Sequence, residues 1–366
     1  MKRIVFFINC MASGGAEHQL AILANMLSEK GYDVTITTYG DTPDHYDLNI
    51  KIKRVKLAEG RNKGIKFLAI FKYFYILKSD WVVTFDQRNN FFAMIPFFFR
   101  RKKGLRILCG ERNFTVDGRQ SIYEKVLTKL LYRRADSVIT NSFSQKKHLL
   151  KEVPCLSNKL GTIINHTELN HYIATPLPHN NPLKIVTFSR YTKQKNCLRF
   201  ADAIKIVIEK CAIPFEIHWY GNFFIHGNEL NSDFEEFKMK VELNGLSQII
   251  RLHDATKDVA AVMSQMDAFT LPSLYEGFSN SLAEAICCGK PILASDVSDN
   301  SVMLHNNVNG FLFNPLDVDD MANAFIQYLN MNQSERDIMG KNSRLIAEQL
   351  FSGNQFIDSY LAVLER

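Results

Sequence analysis

The stretch Ser273-Leu-Tyr-Glu-Gly-Phe-Ser-Asn-Ser-Leu-Ala-Glu-Ala-Ile-Cys-Cys-Gly-Lys-Pro291 decides the fold of this chain. It follows an apolar run, Ala268–Leu271, that predicts a buried strand ending at Pro272, because proline cannot continue a ladder of backbone hydrogen bonds. Good helix N-cap residues at Ser279 to Ser281 precede an apolar run that ends at Gly289. A second apolar run follows. The stretch therefore predicts a strand–loop–helix–strand unit, with polar groups at the carboxyl end of its first strand.

Ligands of open α/β sheets bind outside the carboxyl ends of the strands, which is where this loop is predicted to lie. The amides at the start of a helix favour phosphate, so we expect phosphate near Ser279–Ser281. Glu276 and Glu284 flank that helix start, and carboxylates accept hydrogen bonds from hydroxyl groups. A ligand with phosphate between two hydroxyl-rich groups is a sugar nucleotide.

Two structural interpretations compete with this hypothesis. Ser281-Leu-Ala-Glu284 fits a capping box, in which Glu284 only reaches back to the helix start. Glu276-Gly277 fits a solvated turn.

The spacing from Glu276 to Glu284, with Ala285, Gly289 and Pro291 around it, resembles the Glu-x7-Glu signature of glycosyltransferase family 4. The resemblance runs over essentially the whole chain. It implies the α/β GT-B fold, with two Rossmann-like, doubly wound domains facing a central cleft. It also implies a retaining, nucleotide-sugar-dependent transferase. On this resemblance Glu276 orients the donor sugar, while Phe278, Asn280 and the neighbouring serines also contact the donor and Glu284 binds the ribose.

A chain of 366 residues with 46% hydrophobic and 22% charged residues predicts two soluble domains. We place the first, acceptor-binding domain at 1–177 and the second, nucleotide-sugar-binding domain at 182–344, separated by a segment rich in Pro and Asn. The family fold implies that a helix at about 345–366 returns to the first domain. The short apolar run Ile4–Ile8 predicts a strand and not a signal peptide. Seven scattered cysteines without a C-x-x-C pattern argue against a zinc site.

Charge is distributed unevenly along the chain. Residues 1–178 carry 28 Lys and Arg against 15 Asp and Glu, a net charge of +13, whereas residues 179–366 carry −7. A basic first half predicts an anionic partner. Without a nucleic-acid motif, we expect an anionic membrane surface or a lipid pyrophosphate.

One apolar segment, Phe91–Phe99, is followed by the cations Arg100, Arg101, Lys102 and Lys103. Aromatic residues beside cations are typical of a surface that grips lipid headgroups. A core helix with a basic C-terminal end explains the same residues.

Residues after two first-domain strands are candidates for the acceptor side. Gly14-Gly15 precedes a helix and permits close backbone approach. It resembles the Gly-Gly-Ala-Glu loop of family 4, which implies that Gly15 approaches the donor phosphates and that Glu17 and His18 face the acceptor. Cys109-Gly-Glu-Arg-Asn113 resembles the Ser-Glu-Arg-Asn segment of some members. Glu111, Arg112 and Asn113 are therefore either acceptor contacts or a plain surface loop.

The second domain opens with the strand Leu183–Phe188, after which Arg190 and Lys195 project from one loop. Two cations in one loop can reach one diphosphate. The family pattern of Gly-Arg and a later Lys implies that they neutralise the leaving diphosphate. Ser189 stands in place of the glycine. Further on, Ser298 and Asp299 replace two family glycines.

The predicted activity is transfer of a hexose or N-acetylhexosamine from a nucleotide diphosphate sugar, with UDP favoured, to a lipid-linked saccharide of polysaccharide or lipopolysaccharide biosynthesis. We expect a cytoplasmic protein, peripheral on the inner face of the cell membrane, with no cofactor, no metal and no nucleic-acid partner. The alternatives are a sugar-nucleotide epimerase of the same fold or a catalytically silent nucleotide-binding subunit. A nicotinamide dehydrogenase is disfavoured because the G-x-G-x-x-G fingerprint is missing.

Overall fold

The computed structural model describes residues 2–12, 14–99, 102–112, 122–225, 229–351 and 354–366. The chain divides into two compact units, Met1–His166 with Gly353–Arg366, and Thr167–Ser352. The division falls before the Pro- and Asn-rich segment, so that segment belongs to the second unit instead of separating the two. The return to the first unit begins at Gly353, later than the predicted 345.

In the first unit the described residues form a seven-stranded parallel sheet with the order β3-β2-β1-β4-β5-β6-β7. Its elements before residue 166 are β1 (Arg3–Ile8), α1 (Gly15–Glu29), β2 (Asp33–Thr38), β3 (Lys53–Lys56), α2 (Lys63–Ile76), β4 (Trp81–Phe85), α3 (Gln87–Phe99), β5 (Arg106–Glu111), α4 (Ile122–Tyr132), β6 (Ser137–Thr140), α5 (Phe143–Glu152) and β7 (Leu160–Thr162).

In the second unit the described residues form a six-stranded parallel sheet with the order β12-β9-β8-β13-β14-β15, and a separate two-stranded hairpin. The elements are β8 (Leu183–Phe188), α6 (Cys197–Lys210), β9 (Phe215–Tyr220), β10 (Phe224–Ile225), β11 (Glu229–Leu230), α7 (Ser232–Leu243), β12 (Ile250–His253), α8 (Val259–Ser264), β13 (Ala268–Leu271), α9 (Asn280–Cys287), β14 (Ile292–Ser295), α10 (Asn300–Met303), β15 (Gly310–Phe313), α11 (Val318–Asn330) and α12 (Gln333–Phe351). The strand–loop–helix–strand unit predicted from residues 268–294 is therefore confirmed.

The last helix, α13 (Gln355–Leu364), is part of the first unit. Tyr360 and Leu364 are fully buried in the core that contains β1 and β4. The Trp81 indole N–H donates to the Leu364 carbonyl over 2.8 Å, so the C-terminal end of the helix is bonded to the sheet.

Burial explains why the strands are so evident in the sequence. Val82 to Phe85 and Phe269 to Leu271 are almost completely inaccessible, as expected for strands of parallel sheets that are covered on both faces. β3 is different because its four residues, Lys-Arg-Val-Lys, are only half-buried or exposed at the sheet edge. For this reason β3 was not predicted from the sequence.

The apolar segment Phe91–Phe99 lies within α3, and its inner residues Ala93, Met94 and Phe97 are buried. That part supports the core-helix interpretation. Phe98 and Phe99 are exposed to 41% and 75%. Arg100 and Arg101 lie outside the described residues. No helix in the described part of the chain combines the length and hydropathy that a membrane span requires.

Each sheet has one point where the strand order reverses. In the first unit it lies between β1 and β4, and in the second between β8 and β13. Adjacent strands there are followed by connections on opposite sides of the sheet, which opens a crevice at their carboxyl ends. The two stretches that the sequence analysis singled out in the second unit follow β8 and β13.

Candidate active site

Two loops meet at the carboxyl ends of β8 and β13. The Leu274 amide donates to the Gln194 carbonyl over 2.8 Å, and the Gln194 side-chain amide donates to the Tyr275 carbonyl over 2.9 Å. These bonds fix the loop that carries Lys195 against the loop that carries Glu276. Arg190 is exposed at the start of its loop.

Lys195 and Glu276 form an ion pair. The Lys195 ammonium lies 2.6 Å from Glu276 Oε1, and the two side chains are only 12% and 9% exposed. A short pair with so little solvent around it is a stronger interaction than a surface ion pair. One of the two predicted phosphate cations thus lies in direct contact with the predicted sugar-binding carboxylate.

Ser298 holds the backbone of Glu276 from the other side. Its hydroxyl donates to the Glu276 carbonyl over 2.5 Å and accepts from the Glu276 amide over 3.1 Å. Ser298 has φ of +53°, the left-handed conformation that favours glycine. Ser298 therefore adopts a conformation that favours glycine, and its hydroxyl positions Glu276.

Helix α9 begins at the predicted place. Ser279 is its N-cap, with its hydroxyl accepting from the Leu282 amide over 3.4 Å. Asn280 and Ser281 occupy the first helical turn, whose amides have no partner within a helix. The capping-box interpretation of Ser281 and Glu284 is wrong, because the cap lies two residues before Ser281. Phe278 is buried, with its ring edge-on to Phe351 at 6.3 Å.

Glu284, half-buried on α9, hydrogen bonds with Tyr172. Burial raises the pKa of the Glu284 carboxyl to about 7, and the Tyr172 hydrogen bond opposes that shift. Arg344 donates to the carbonyls of Tyr172 and Cys287, over 2.9 and 2.7 Å, and so ties the Tyr172 segment to α9. Tyr172 therefore lies where it controls the charge of the predicted ribose-binding residue.

Three buried hydroxyl groups follow adjacent strands of this sheet. Ser189 follows β8, Ser273 follows β13 and Ser295 ends β14. Within the described residues their hydroxyls have no hydrogen-bond partner. Unsatisfied buried hydroxyls are uncommon, and a bound polar ligand or water can satisfy them.

The loop after β1 holds the first-unit candidates. Gly15 is the exposed first residue of α1. Tyr46 donates to the Gly14 carbonyl over 2.9 Å, and the His18 ring stacks on Tyr46 at 4.9 Å. Burial is the main cause that raises the pKa of Glu17, and the negative charge of Asp86 adds to it.

Glu111 ends β5 and is buried, not part of a surface loop. Tyr132 donates to its carboxyl group, as does Asn90 over 3.2 Å. Burial raises the pKa of Glu111 to about 8, with a further contribution from the charge of Asp86. Asp86 directly follows β4 at the switch point and has φ of +82°. Glu17, Asp86 and Glu111 therefore form one acidic environment at the carboxyl edge of this sheet.

Arg112 is also buried, and its contacts are structural. Its guanidinium donates to Asn165 over 2.7 Å and to Tyr360 over 2.6 Å, and it lies 3.9 Å from the centroid of the Phe85 ring. These contacts connect β5 to α13. Asn113 lies outside the described residues.

The described residues contain no group of three or more His, Cys, Asp or Glu side chains arranged to hold a metal ion.

Comparison with known proteins identifies the family. Residues 13–169 match the model of Glycosyltransferase Family 4, and residues 182–331 match the model of Glycosyl transferases group 1. Only the two ends and residues 170–181 lie outside these matches. The chain belongs to the group 1 and family 4 glycosyltransferases.

Curated relatives and solved structures agree with this assignment. The transferase is 31% identical over 165 residues to an Escherichia coli UDP-Gal:alpha-D-GlcNAc-diphosphoundecaprenol alpha-1,3-galactosyltransferase, a match to 45% of this chain and 40% of that protein. It is 24% identical over 318 residues, 81% of both chains, to a Campylobacter jejuni N-acetylgalactosamine-N,N'-diacetylbacillosaminyl-diphospho-undecaprenol 4-alpha-N-acetylgalactosaminyltransferase. Anabaena HepE, solved with UDP and glucose, superposes over all of both chains with a TM-score of 0.81 and 18% identity. The fold is GT-B, as predicted.

Several residues of this glycosyltransferase were missed by the sequence analysis. Asp86 could have been found, because it is an acid directly after a buried strand. Tyr172 carries no such signal, since its contact with Glu284 depends on the path of an irregular segment. Ser273 and Ser295 are small residues at strand ends and stand out only through their burial.

Proposed function

We propose that this glycosyltransferase moves a hexose or N-acetylhexosamine from a nucleotide diphosphate sugar to a lipid-linked saccharide, with retention of the anomeric configuration, in polysaccharide or lipopolysaccharide biosynthesis. The E. coli and C. jejuni relatives, both named as transferases acting on diphospho-undecaprenol saccharides, support this acceptor class. UDP is the favoured nucleotide because the E. coli relative is named for UDP-galactose and HepE was solved with UDP.

The observation that carries the proposal is the Lys195–Glu276 ion pair at the second-unit switch point. Lys195, Arg190 and the first amides of α9 supply positive potential for the diphosphate. Negative charge grows on that group as the glycosidic bond breaks, and fixed positive groups are most effective where charge develops. Glu276 accepts hydrogen bonds from the donor sugar hydroxyls.

Glu284 binds the ribose in this proposal. A carboxylate accepts hydrogen bonds from two vicinal hydroxyls better than a carboxylic acid does, because its oxygens are then acceptors only. With its pKa at about 7, Glu284 is only partly ionised at neutral pH. Tyr172 favours the ionised form because its hydroxyl donates to the carboxylate.

The acceptor binds the first unit, where Gly15, Glu17, His18 and Glu111 line the carboxyl edge. The net charge of +13 on residues 1–178 suits the pyrophosphate of a lipid-linked acceptor and an anionic membrane. We place the enzyme on the inner face of the cell membrane as a peripheral, cytoplasmic protein. Side-chain cations and helix amides neutralise the donor diphosphate, so we propose a reaction without a metal cofactor.

A donor screen tests this function. The purified full chain is incubated with UDP- and GDP-sugars, with and without a lipid-linked saccharide, and released nucleoside diphosphate is measured. We expect release that depends on the acceptor and is unchanged by excess EDTA, and an NMR spectrum of the product that shows the donor's anomeric configuration. Free sugar product without acceptor would indicate an epimerase. Nucleotide binding without turnover would indicate a silent subunit.

A further inference from the structure

Helix α2 has an exposed apolar face. Ile65, Leu68 and Ile76 are 44%, 69% and 59% exposed. Their helical spacing places them on one side, together with the exposed Lys72. The opposite side contributes the buried residues Ile70 and Phe74 to the core. An ordinary surface helix has polar residues on its outer face, so α2 departs from the usual pattern.

A groove lies between α2 and α3, next to this face. Its volume is about 190 Å³, and its lining is largely aromatic: Phe71, Phe74, Tyr75, Phe97, Phe99 and, at one side, Lys102. The ring centroids of Phe71 and Phe99 are 6.3 Å apart, and Phe99 is 75% exposed. Pockets that hold drug-sized ligands have volumes of roughly 300 Å³ or more. The groove therefore suits part of a flexible apolar chain better than a whole compact ligand.

The helices that line the groove are basic in sequence. Residues 60–79 and 87–110 contain eleven Lys and Arg, two of which, Arg100 and Arg101, lie outside the described residues, and no Asp or Glu. Lys102, on the groove wall, donates to the Leu77 carbonyl over 2.9 Å and so connects the segment after α3 to the end of α2. Asp41 pairs with Lys66 on α2 over 2.6 Å, and the other cations outnumber this single acid. Exposed apolar residues beside an excess of cations match the composition of an anionic bilayer surface, with its acidic headgroups above hydrocarbon.

We propose that the outer face of α2 and the α2–α3 groove form the membrane-docking surface, and that one hydrocarbon chain of an anionic phospholipid enters the groove. This inference deepens the proposed function, on which it rests, because a lipid-linked acceptor requires the enzyme at a bilayer. A second copy of the chain is a poor occupant: a two-fold contact through this surface would bring the two sets of cations together.

The sequence left Phe91–Phe99 open between a lipid-binding surface and a core helix. Most of that segment is core, and only its last two residues are exposed. Helix α2 provides the remaining apolar area. Its exposed face was not predicted because its composition alone does not tell which side is covered.

Tryptophan fluorescence with brominated lipids tests the proposal on the full chain. Both native tryptophans, Trp81 and Trp219, are buried, so a new one reports its own position. Leu68→Trp is compared with Leu243→Trp, whose site on α7 is 85% exposed. With vesicles of phosphatidylcholine and phosphatidylglycerol, we expect bromines on the acyl chains to quench the Leu68→Trp fluorescence and to leave Leu243→Trp unchanged.

Vesicle sedimentation supplies the affinity. We expect Leu68→Ser with Ile76→Ser to weaken binding to anionic vesicles by roughly tenfold or more, because exposed apolar area is lost from the contact. Lys72→Gln is expected to weaken it about fivefold, as a cation near an anionic surface contributes to binding. Leu243→Ser is the matched control and should bind like wild type.

Three outcomes overturn the docking surface. They are sedimentation without quenching at position 68, no preference for anionic over neutral vesicles, and a dimer that Leu68→Ser dissociates. A water-soluble acceptor analogue separates this failure from failure of the proposed function. If the analogue is glycosylated but docking fails, the surface alone is wrong; if docking succeeds but no acceptor is glycosylated, the function is wrong.

Discussion

Lys195 and Glu276 are 81 positions apart in the chain, yet their side chains form a 2.6 Å ion pair. The pair joins the loops after β8 and β13, the two strands between which the sheet order reverses. In the proposed reaction each partner has a second task. The donor diphosphate draws on the charge of Lys195, and the donor sugar hydroxyls donate to Glu276. Donor binding then replaces one internal contact by two contacts with substrate.

Replacing Glu276 by Gln should separate catalysis from nucleotide binding. The amide keeps the size of the side chain but removes the acceptor charge at the donor sugar. We expect kcat to fall by about 10²–10³. UDP affinity, measured by calorimetry, should stay equal or increase, because a carboxylate that competes for Lys195 has gone.

The matched control is Glu59→Gln. Glu59 pairs with Lys56 over 3.1 Å but is exposed, so its replacement should change neither kcat nor the affinity for UDP. Melting curves of both variants show whether each is folded. Wild-type turnover in folded Glu276→Gln would remove Glu276 from the mechanism.

The Tyr172–Glu284 contact predicts a pH dependence. The pKa of Glu284 is about 7 with the hydrogen bond in place, and that bond lowers it. Tyr172→Phe should therefore raise the pKa above 7 and leave more Glu284 protonated at neutral pH. If the carboxylate binds the ribose, donor affinity in the variant is weaker at pH 7 and recovers as pH rises toward 9.

The measurement is the donor KM from pH 6 to 9, with kcat recorded beside it. Tyr220→Phe is the control, since Tyr220 is a tyrosine of the same unit that stacks on His253 instead of contacting Glu284. A uniform loss of affinity at every pH would mean that Tyr172 acts by packing alone.

Arg112 is predicted to stabilise the first unit and not to bind the acceptor. Arg112→Met removes hydrogen bonds to Asn165 and Tyr360 and leaves both groups without that partner. Hydrogen bonds to charged groups contribute about 1.5–3 kcal/mol each, so we expect the free energy of unfolding to fall by roughly 3 kcal/mol.

Urea unfolding checks the Arg112 prediction, with the exposed Arg133→Met as control. The acceptor KM of the folded fraction should not change. An Arg112→Met protein with wild-type stability and a raised acceptor KM would reverse the assignment.

Sequence patterns predicted those parts of the structure that depend on neighbours in the chain. The start of α9 followed from a local sequence of cap residues, and buried strands followed from unbroken apolar runs. β3 was missed because an edge strand of Lys-Arg-Val-Lys lacks an apolar run. The carboxyl-end positions of Lys195 and Glu276 followed from the order of strands and loops.

Contacts between distant segments were harder to predict. Nothing local shows that Tyr172 reaches Glu284, or that the Ser298 hydroxyl holds both backbone groups of Glu276. Arg112 was predicted to be either an acceptor contact or a surface-loop residue, and neither prediction anticipated its partner Tyr360, which lies 248 positions later. Such contacts are set by the path of the whole chain, and they determine the charge and orientation of residues that the sequence could only locate.

Lys290 gives the last prediction. The side chain is completely buried, and its ammonium has no hydrogen-bond partner among the described residues. Burial lowers its pKa to about 8 from 10.5, although Cys288 and Asp267 oppose the shift. Charging this group inside the protein costs free energy, so Lys290→Met should stabilise the fold at pH 7, by about 1–4 kcal/mol.

Between pH 8 and 10.5 the unfolded chain binds more protons at Lys290 than the folded protein does. The stability of wild type therefore rises with pH relative to that of Lys290→Met. The difference in free energy of unfolding between Lys290→Met and wild type should be largest below pH 8 and should disappear near pH 10.5. Urea unfolding at pH 7 and pH 10 measures it, with the exposed Lys205→Met as control. A variant less stable than wild type at pH 7 would show that Lys290 makes a favourable contact in the folded protein.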